Sequence, residues 1–275
     1  MNNAQVRKVA LITGSTDGLG REVARALAAA GFEVLIHGRD EPRGSDLVRQ
    51  ISEQGGSARF HRADFTSLAE VRALADSVRR DHDRLHLLIN NAGIGTGDDG
   101  RAAPRRTSAE GYELRFAVNY LAGYLLTRLL LPILVRAAPA RIVNVASAGQ
   151  YPLDFDNLML ERGYSGMRAY AQSKLAQVML TLDLAAELRD MGVTVNCLHP
   201  ATYMDTTMVR AAGVAPVSSV EEGAAAVMRL ANAPELEGQT GGYFDGLRPA
   251  RANAQAYDPQ VRQRLAEVSA RLAAS

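Results

Sequence analysis

One cysteine in 275 residues excludes an internal disulfide, and Cys197 lies in the apolar run Gly192-Val-Thr-Val-Asn-Cys-Leu-His199, which reads as a strand and makes the thiol a core filler rather than a nucleophile. Charge of one sign is equally scarce. Lys+Arg 31 against Asp+Glu 30 leaves a net charge of +1, so no bulk electrostatic pull toward nucleic acid or an acidic membrane is expected. The strongly apolar stretch Tyr120 to Val135 is interrupted by Arg128 and falls short of the ~20 residues that a membrane-spanning helix needs. Met1 to Lys8 is polar, which does not fit a secretory leader, and a cytoplasmic protein without a membrane anchor is the expectation. No repeat or low-complexity tract divides the chain, although Gly95 to Arg106, rich in Gly, Asp and Arg, reads as a mobile surface loop.

What remains is a chain that is 47% hydrophobic and 22% charged, enough for one sizeable core. Short apolar runs near 8–13, 32–37, 58–62, 85–90, 140–146, 193–198 and 242–245 alternate with helix-like segments. The helices are expected over 18–30, 41–54, 67–80, 109–137, 167–191, 220–231 and 258–273. Such alternation predicts a single α/β domain over 1–275: a doubly wound parallel sheet of about seven strands, helices on both faces and right-handed crossovers. Pro132 should bend the fourth helix or mark a junction in it.

The first apolar run ends in Thr13-Gly14-Ser15-Thr16-Asp17-Gly18-Leu19-Gly20 and leads into a helix. Strand, glycine turn and helix in that order let backbone N–H groups and a helix N-terminus meet a pyrophosphate. A P-loop would need a Gly-Lys-Ser/Thr ending, which is absent, so the site suits a dinucleotide rather than a triphosphate. Farther along, Tyr170 and Lys174 are four residues apart and share a helix face. A phenol beside a cation can exchange a proton near neutral pH, which is general acid and base chemistry, although the same spacing also describes an ordinary solvated helix face.

Together these motifs resemble those of the short-chain dehydrogenase/reductase family, over nearly the whole chain. The glycine turn, Asn90-Asn91-Ala92-Gly93 and Asn144-Val145-Ala146-Ser147 match the family's motifs in order, and Asn119, Ser147, Tyr170 and Lys174 fall on its catalytic tetrad. The interval from Ser147 to Tyr170, with Phe155-Asp156-Asn157-Leu158, is most similar to the retinol-dehydrogenase-like branch. The resemblance implies a single-domain Rossmann fold, with a cofactor half over about 1–146 and a catalytic and substrate half over about 147–275. It implies hydride transfer between a nicotinamide and a carbonyl or secondary alcohol, with Tyr170 donating the proton, Ser147 holding the same oxygen, Lys174 lowering the phenol's pKa and holding the nicotinamide ribose, and Asn119 anchoring a relay water. It gives Gly14, Ser15, Thr16, Asp17, Gly18, Leu19 and Gly20 to the pyrophosphate, Asp64 and Phe65 to the adenine, Asn91, Ala92 and Gly93 to its ribose, and Pro200, Thr202 and Tyr203 to the nicotinamide end. No metal is implied. In the family the helices around 120–135 and 174–188 pair across subunits, so a homodimer or homotetramer is expected.

About twenty residues past the turn the chain reads His37-Gly38-Arg39-Asp40. The acidic position that binds the ribose in NAD sites is Gly38, and Arg39 suits a 2′-phosphate, so NADP(H) is favoured. The competing reading gives Asp40 the ribose of NAD(H) and leaves Arg39 on the surface. His37 reads as a packing or turn residue, and Asp17 stands where NADP-binding members often carry a basic side chain. The family's Pro-Gly after the sixth strand is here Pro200-Ala201, and Asp205 occupies the usual place of a carboxamide-binding threonine, leaving Thr202 or Thr206 to substitute. Ligands of open α/β sheets sit beyond the carboxyl ends of the strands, which points to Gln150–Gly166 and Tyr203–Val217 as the substrate segments, with Tyr151, Phe155, Met159, Tyr164, Tyr203, Met204 and Met208 for a mid-sized apolar ketone or aldehyde. Other readings are a non-catalytic dinucleotide sensor and a retinoid- or lipid-handling enzyme at a membrane surface.

Overall fold

Strands that are apolar at every position need cover on both faces, and the chain supplies it. The computed structural model describes residues 7–97 and 104–274. The parallel strands are β1 (Val9–Ile12), β2 (Glu33–Gly38), β3 (Ser57–Arg62), β4 (Leu87–Asn90), β5 (Ala140–Val145), β6 (Val193–His199) and β7 (Tyr243–Asp245). An eighth strand, β8 (Arg248–Ala250), pairs antiparallel with β7 at the sheet edge. The order is β3-β2-β1-β4-β5-β6-β7-β8, so the chain reverses direction across the sheet between β1 and β4. The expected sheet of about seven strands is thus one strand too small. Arg248-Pro249-Ala250 is short, exposed and interrupted by proline, and carries no alternation to betray it.

Helices α1 (Gly18–Ala29), α2 (Glu41–Glu53) and α7 (Val220–Asn232) cover one face, where Ile12, Val23, Leu27, Ile36, Leu47, Val227 and Phe244 form a buried cluster. Helices α3 (Leu68–Asp81), α4 (Ala122–Arg136) and α5 (Gly166–Glu187) cover the other, with Leu11, Leu35, Val71, Leu130, Ile142, Leu175 and Val195. A short helix α6 (Thr207–Ala211) and a C-terminal helix α8 (Pro259–Ala273) complete the chain. Capping is explicit: Asp17, Asp40, Ser67, Ser165, Thr206, Ser219 and Asp258 each accept a backbone N–H at the start of a helix.

Three sequence expectations change here. Residues 109–113 are not helical, because Thr107 and Glu113 form a small antiparallel bridge first. The following helix opens with a π-helical stretch, Phe116–Leu121, before α4. Together they make Phe116–Arg136 a helix of 21 residues, long and apolar enough to cross a membrane, contrary to the length argument above, with 67% of its apolar window buried in the fold. Pro132 lies within α4 on its exposed side without ending it. Residues 1–6, and 98–103 of the loop expected to be mobile, lie outside the described residues.

Part of the apolar surface expected to pair with another subunit, on α5 and the π-helical stretch before α4, is met within the chain by α8. Leu265 and Ser269 of α8 are buried there, the Tyr120 hydroxyl lies 2.7 Å from Ser269 Oγ, and Arg262 reaches Asp183 of α5 at 2.7 Å.

Candidate active site

The glycine turn joins β1 to α1 at the carboxyl edge of the sheet, where the chain reverses. Gly14 has φ +64 and its missing Cβ would stand 2.8 Å from Ala92 Cα; at Gly20 a Cβ would meet Gly14 O at 2.3 Å. Both positions therefore exclude side chains, and the first turn of α1 presents N–H groups without intrahelical acceptors toward the cleft. This cradle fits a dinucleotide's pyrophosphate. Asn91 clamps it from the far side: Nδ2 donates to Thr13 O at 2.8 Å and Gly14 O at 3.0 Å, while the N–H groups of Asn91 and Ala92 both donate to Thr13 Oγ1 at 2.9 Å.

Some expected cofactor residues turn elsewhere. Ser15 is wholly buried; its hydroxyl donates to Ile12 O at 2.8 Å and accepts from His37 N, and its own N–H donates to His37 O at 2.9 Å. It stitches β1 to β2. Leu19 packs its side chain toward α7 at Gly223, leaving its backbone to the cradle. His37, read as packing, does more. Its Nδ1 accepts from Gly14 N at 3.1 Å, so Nε2 carries the proton and donates to Ala63 O at 3.1 Å, while the ring stacks on Phe65 with centroids 4.3 Å apart. Burial lowers the His37 pKa to about 4, which keeps it neutral as that bridge requires.

At the end of β2, a Cβ on residue 38 would collide with Thr16 at 2.6 Å, so no acidic side chain fits there while Thr16 holds its position. Asp40 caps α2 by accepting from Arg43 N at 3.0 Å. Arg39 is exposed, 3.8 Å from Asp64. Arg43 folds back onto the glycine turn, its Nη1 3.2 Å from Asp17 Oδ2, and thereby brings a cation to the place where the sequence shows an acid. Asp64 accepts from Thr66 N at 2.9 Å in a local turn, and Ser67 caps α3.

Asp17 also receives the Thr207 hydroxyl at 2.8 Å, which ties α6 to the turn. Partial burial opposes its ionisation, but Thr207, the Gly18 N–H and the nearby arginines outweigh this and hold the carboxyl below its usual range. Thr206 lies against Gly18, whereas Thr202 pairs with His199 Nε2 at 3.0 Å. Pro200 is buried behind them. Asp205 is turned to solvent in a two-pronged pair with Arg210, at 2.6 and 2.8 Å, while Thr206 Oγ1 accepts Val209 N at 3.3 Å as the cap of α6. Tyr203 is exposed with φ +43, a left-handed backbone that a tyrosine adopts only when its surroundings impose it.

The four tetrad positions converge where β5, α5 and the π-helical stretch meet. Ser147, just past β5, accepts Gly149 N on Oγ at 3.1 Å and hydrogen-bonds Tyr170. Its carbonyl is held by Gln150 Nε2 at 2.8 Å and by the Tyr243 hydroxyl at 3.2 Å. Asn119 spends its side chain on bracing: Oδ1 accepts from Ile94 N at 2.8 Å, and Nδ2 donates to Ile94 O at 3.1 Å and to Ser173 Oγ at 3.0 Å. Both amide hydrogens are thus consumed, and a relay water would have only acceptor sites on this residue.

Lys174 is buried, and Nζ lies 5.7 Å from the centroid of the Tyr170 ring while donating to Val145 O at 2.8 Å and to Gln177 Oε1 at 3.0 Å. Burial lowers its pKa to about 7. Tyr170, expected to be lowered by Lys174, is instead raised by burial, with the Ser147 hydrogen bond opposing the rise. The cation lies toward Val145 and Gln177 rather than against the phenol, so desolvation prevails. Burial also pushes Cys197 up to about 12, consistent with an inert core thiol.

Of the residues expected at the substrate mouth, Tyr151, Tyr203 and Met208 are exposed around it, with Met208 packed over Gly95. Phe155 and Met159 pack against one core cluster and Met204 against the other. Tyr164 is pinned by Arg115 at 2.6 Å and Glu113 at 3.2 Å. Gln177, Arg43, Thr207 and the bridging role of His37 were missed in the sequence: each acts through a partner distant in the chain or through an amide that no motif marks.

The family model for short chain dehydrogenase matches residues 8–215. Mouse retinol dehydrogenase 13 is 34% identical, covering 96% of this chain and 83% of its own, and mouse polyprenol dehydrogenase is 38% identical, covering 95% and 82%. Among solved structures, the Pseudomonas aeruginosa RhlG/NADP active-site complex is 29% identical with a TM-score of 0.70, covering 86% of this chain and 94% of its own. A Mycobacterium paratuberculosis protein is 26% identical with a TM-score of 0.78, covering 98% and 94%.

Proposed function

The chain belongs to the short-chain dehydrogenase family, in its retinol-dehydrogenase-like branch, as an oxidoreductase of CH–OH or C=O groups, and within that class we propose an NADP(H)-dependent enzyme that uses Tyr170 as general acid and base. The observation that carries this reading is the convergence of Ser147, Tyr170 and Lys174 beside a side-chain-free cradle. A bound nicotinamide dinucleotide supplies the hydride for carbonyl reduction and accepts it in alcohol oxidation. Tyr170 gives its hydroxyl proton to the carbonyl oxygen, the O–H bond of the product forming as the phenol becomes phenolate. Ser147 holds the same oxygen near the phenol, and Lys174 stabilises the phenolate until solvent restores its proton. With burial raising its pKa, Tyr170 rests as the phenol, the form that carbonyl reduction uses.

Preference for NADP rests on Gly38 beneath Thr16, on Arg39 and Arg43 within reach of that end of the cleft, and on the engagement of Asp40 as a helix cap. The exposed Tyr151, Tyr203 and Met208 support an apolar ketone, aldehyde or alcohol of middle size, as do the retinol and polyprenol named in the relatives. A panel of carbonyls and alcohols followed by NADPH and NADH absorbance tests the activity, and Tyr170→Phe should abolish it in a folded protein that still binds cofactor. Arg39→Ala should weaken NADPH binding by about tenfold to a hundredfold while sparing NADH, because a charge-assisted hydrogen bond contributes roughly 1.5–3 kcal/mol. Equal losses for both cofactors would remove the phosphate assignment.

A further inference from the structure

Lys174 and Lys8 are the two lysines among 31 cationic side chains in this chain. An amine that must change its hold on a proton is a different tool from the arginines used elsewhere. Among the described residues no carboxylate forms an ion pair with Lys174, and its hydrogen-bond acceptors are the Val145 carbonyl and the Gln177 amide oxygen. The first is fixed by β5. The second is a side chain, buried on the next turn of α5.

We propose that Gln177 is a positioning residue that holds the Lys174 ammonium for its work beside Tyr170 and sets the pH window in which the pair operates. The inference rests on the acid–base reading of that pair. An ammonium carries three donors and no acceptor, so an amide oxygen facing it favours the protonated form over the free amine. Gln has the reach to do this from the next turn of the helix, whereas a carboxylate would compete with the phenolate for the cation. The main chain of Gln177 is itself fixed: its carbonyl accepts the Thr181 hydroxyl at 2.9 Å, and Thr181 accepts Asn144 Nδ2 at 2.8 Å. The other groups facing the ammonium are few. Tyr170 lies on the same helix, the Ser147 segment just past β5, Gly93 on the loop after β4, and the Asn119 amide on the π-helical stretch. From the end of β6 comes His199, electrostatically coupled to both Lys174 and Asp245 of β7. Lowering the pKa of Lys174 by burial brings it near neutrality, where one acceptor more or less decides its charge.

Because the chain has two lysines, protein labelled with carbon-13 at lysine Cε gives two resonances, and Lys174→Arg assigns them. Gln177→Leu should move the titration midpoint of Lys174 down by about one pH unit and Gln177→Glu should move it up by at least as much. The alkaline limb of kcat/KM for carbonyl reduction should move in the same direction in each variant, while a residue serving only to fill space would alter melting temperature and leave both profiles in place. Unmoved Lys174 midpoints in both variants would overturn the proposal, and so would midpoints that move while the kinetic limb stays fixed. Absence of turnover on any carbonyl or alcohol would instead sink the enzymatic reading, with the resonance titration still deciding whether Gln177 governs the charge of Lys174.

Discussion

Lys174 costs the folded protein stability in order to be useful. Its pKa falls from 10.5 to about 7 on burial, so between those values the unfolded chain holds a proton that the folded chain has released. Stability must therefore rise with pH across that window, and the penalty is complete below about pH 7. Lys174→Met should flatten the dependence by about 1.4 kcal/mol per pH unit, the linkage slope of one proton, while eliminating turnover. Denaturant midpoints between pH 7 and 10 for both proteins check this, and parallel curves would show that the lysine is not titrating as described. The pairing of Tyr170 with Lys174 was legible because four-residue spacing places both on one face of a helix. The opposite direction of the phenol's shift was not, since it depends on how deeply the ring is buried and on where the ammonium points. His37 shows the same limit: its spacing from Gly14 is 23 residues, and only the register of β1 against β2 brings the ring beneath the turn.

Helix α6, five residues long, is too short to persist by itself. It is held by contacts with the cofactor cradle: Thr207 on Asp17, Thr206 against Gly18, and Met208 over Gly95. The segment that borders the substrate mouth is thus fastened to the turn that would carry the pyrophosphate. Thr207→Val should raise the NADPH dissociation rate by about two- to tenfold, matching a hydrogen bond worth roughly 0.5–1.5 kcal/mol at a partly exposed site, with little change in melting temperature. Stopped-flow release of NADPH provides the measurement, and an unchanged rate would remove α6 from that role. Element order was readable from hydrophobic alternation, and most boundaries fell within a residue or two. The π-helical stretch at Phe116–Leu121 escaped because one extra residue in a helical turn leaves the apolar pattern nearly intact.

At the scale of the molecule, the sequence announced a helix over 258–273 but not the surface it would cover. The structure lays it against α5 and the π-helical stretch before α4, burying Leu265 and Ala273 and joining Tyr120 to Ser269 and Asp183 to Arg262. Its outer side carries Gln260, Gln263, Arg264, Glu267 and Arg271, so the apolar surface beneath α8 is replaced by a polar and charged one. Burying one leucine contributes roughly 1.5–3 kcal/mol, and the helix adds Val261, Val268 and Leu272 to the same contact. A second subunit would have to displace this cover before it could use the surface of α5 beneath it. The full chain should therefore not dimerise through that face. Deleting residues 259–275 should expose Tyr120 and its apolar neighbours and convert the protein to a dimer or to aggregates. Light scattering at micromolar concentration, before and after the deletion, reads the outcome directly. A full-length dimer whose cross-links map to α5 beneath α8 would show that α8 yields to a partner, and the original expectation of pairing through the long helices would stand.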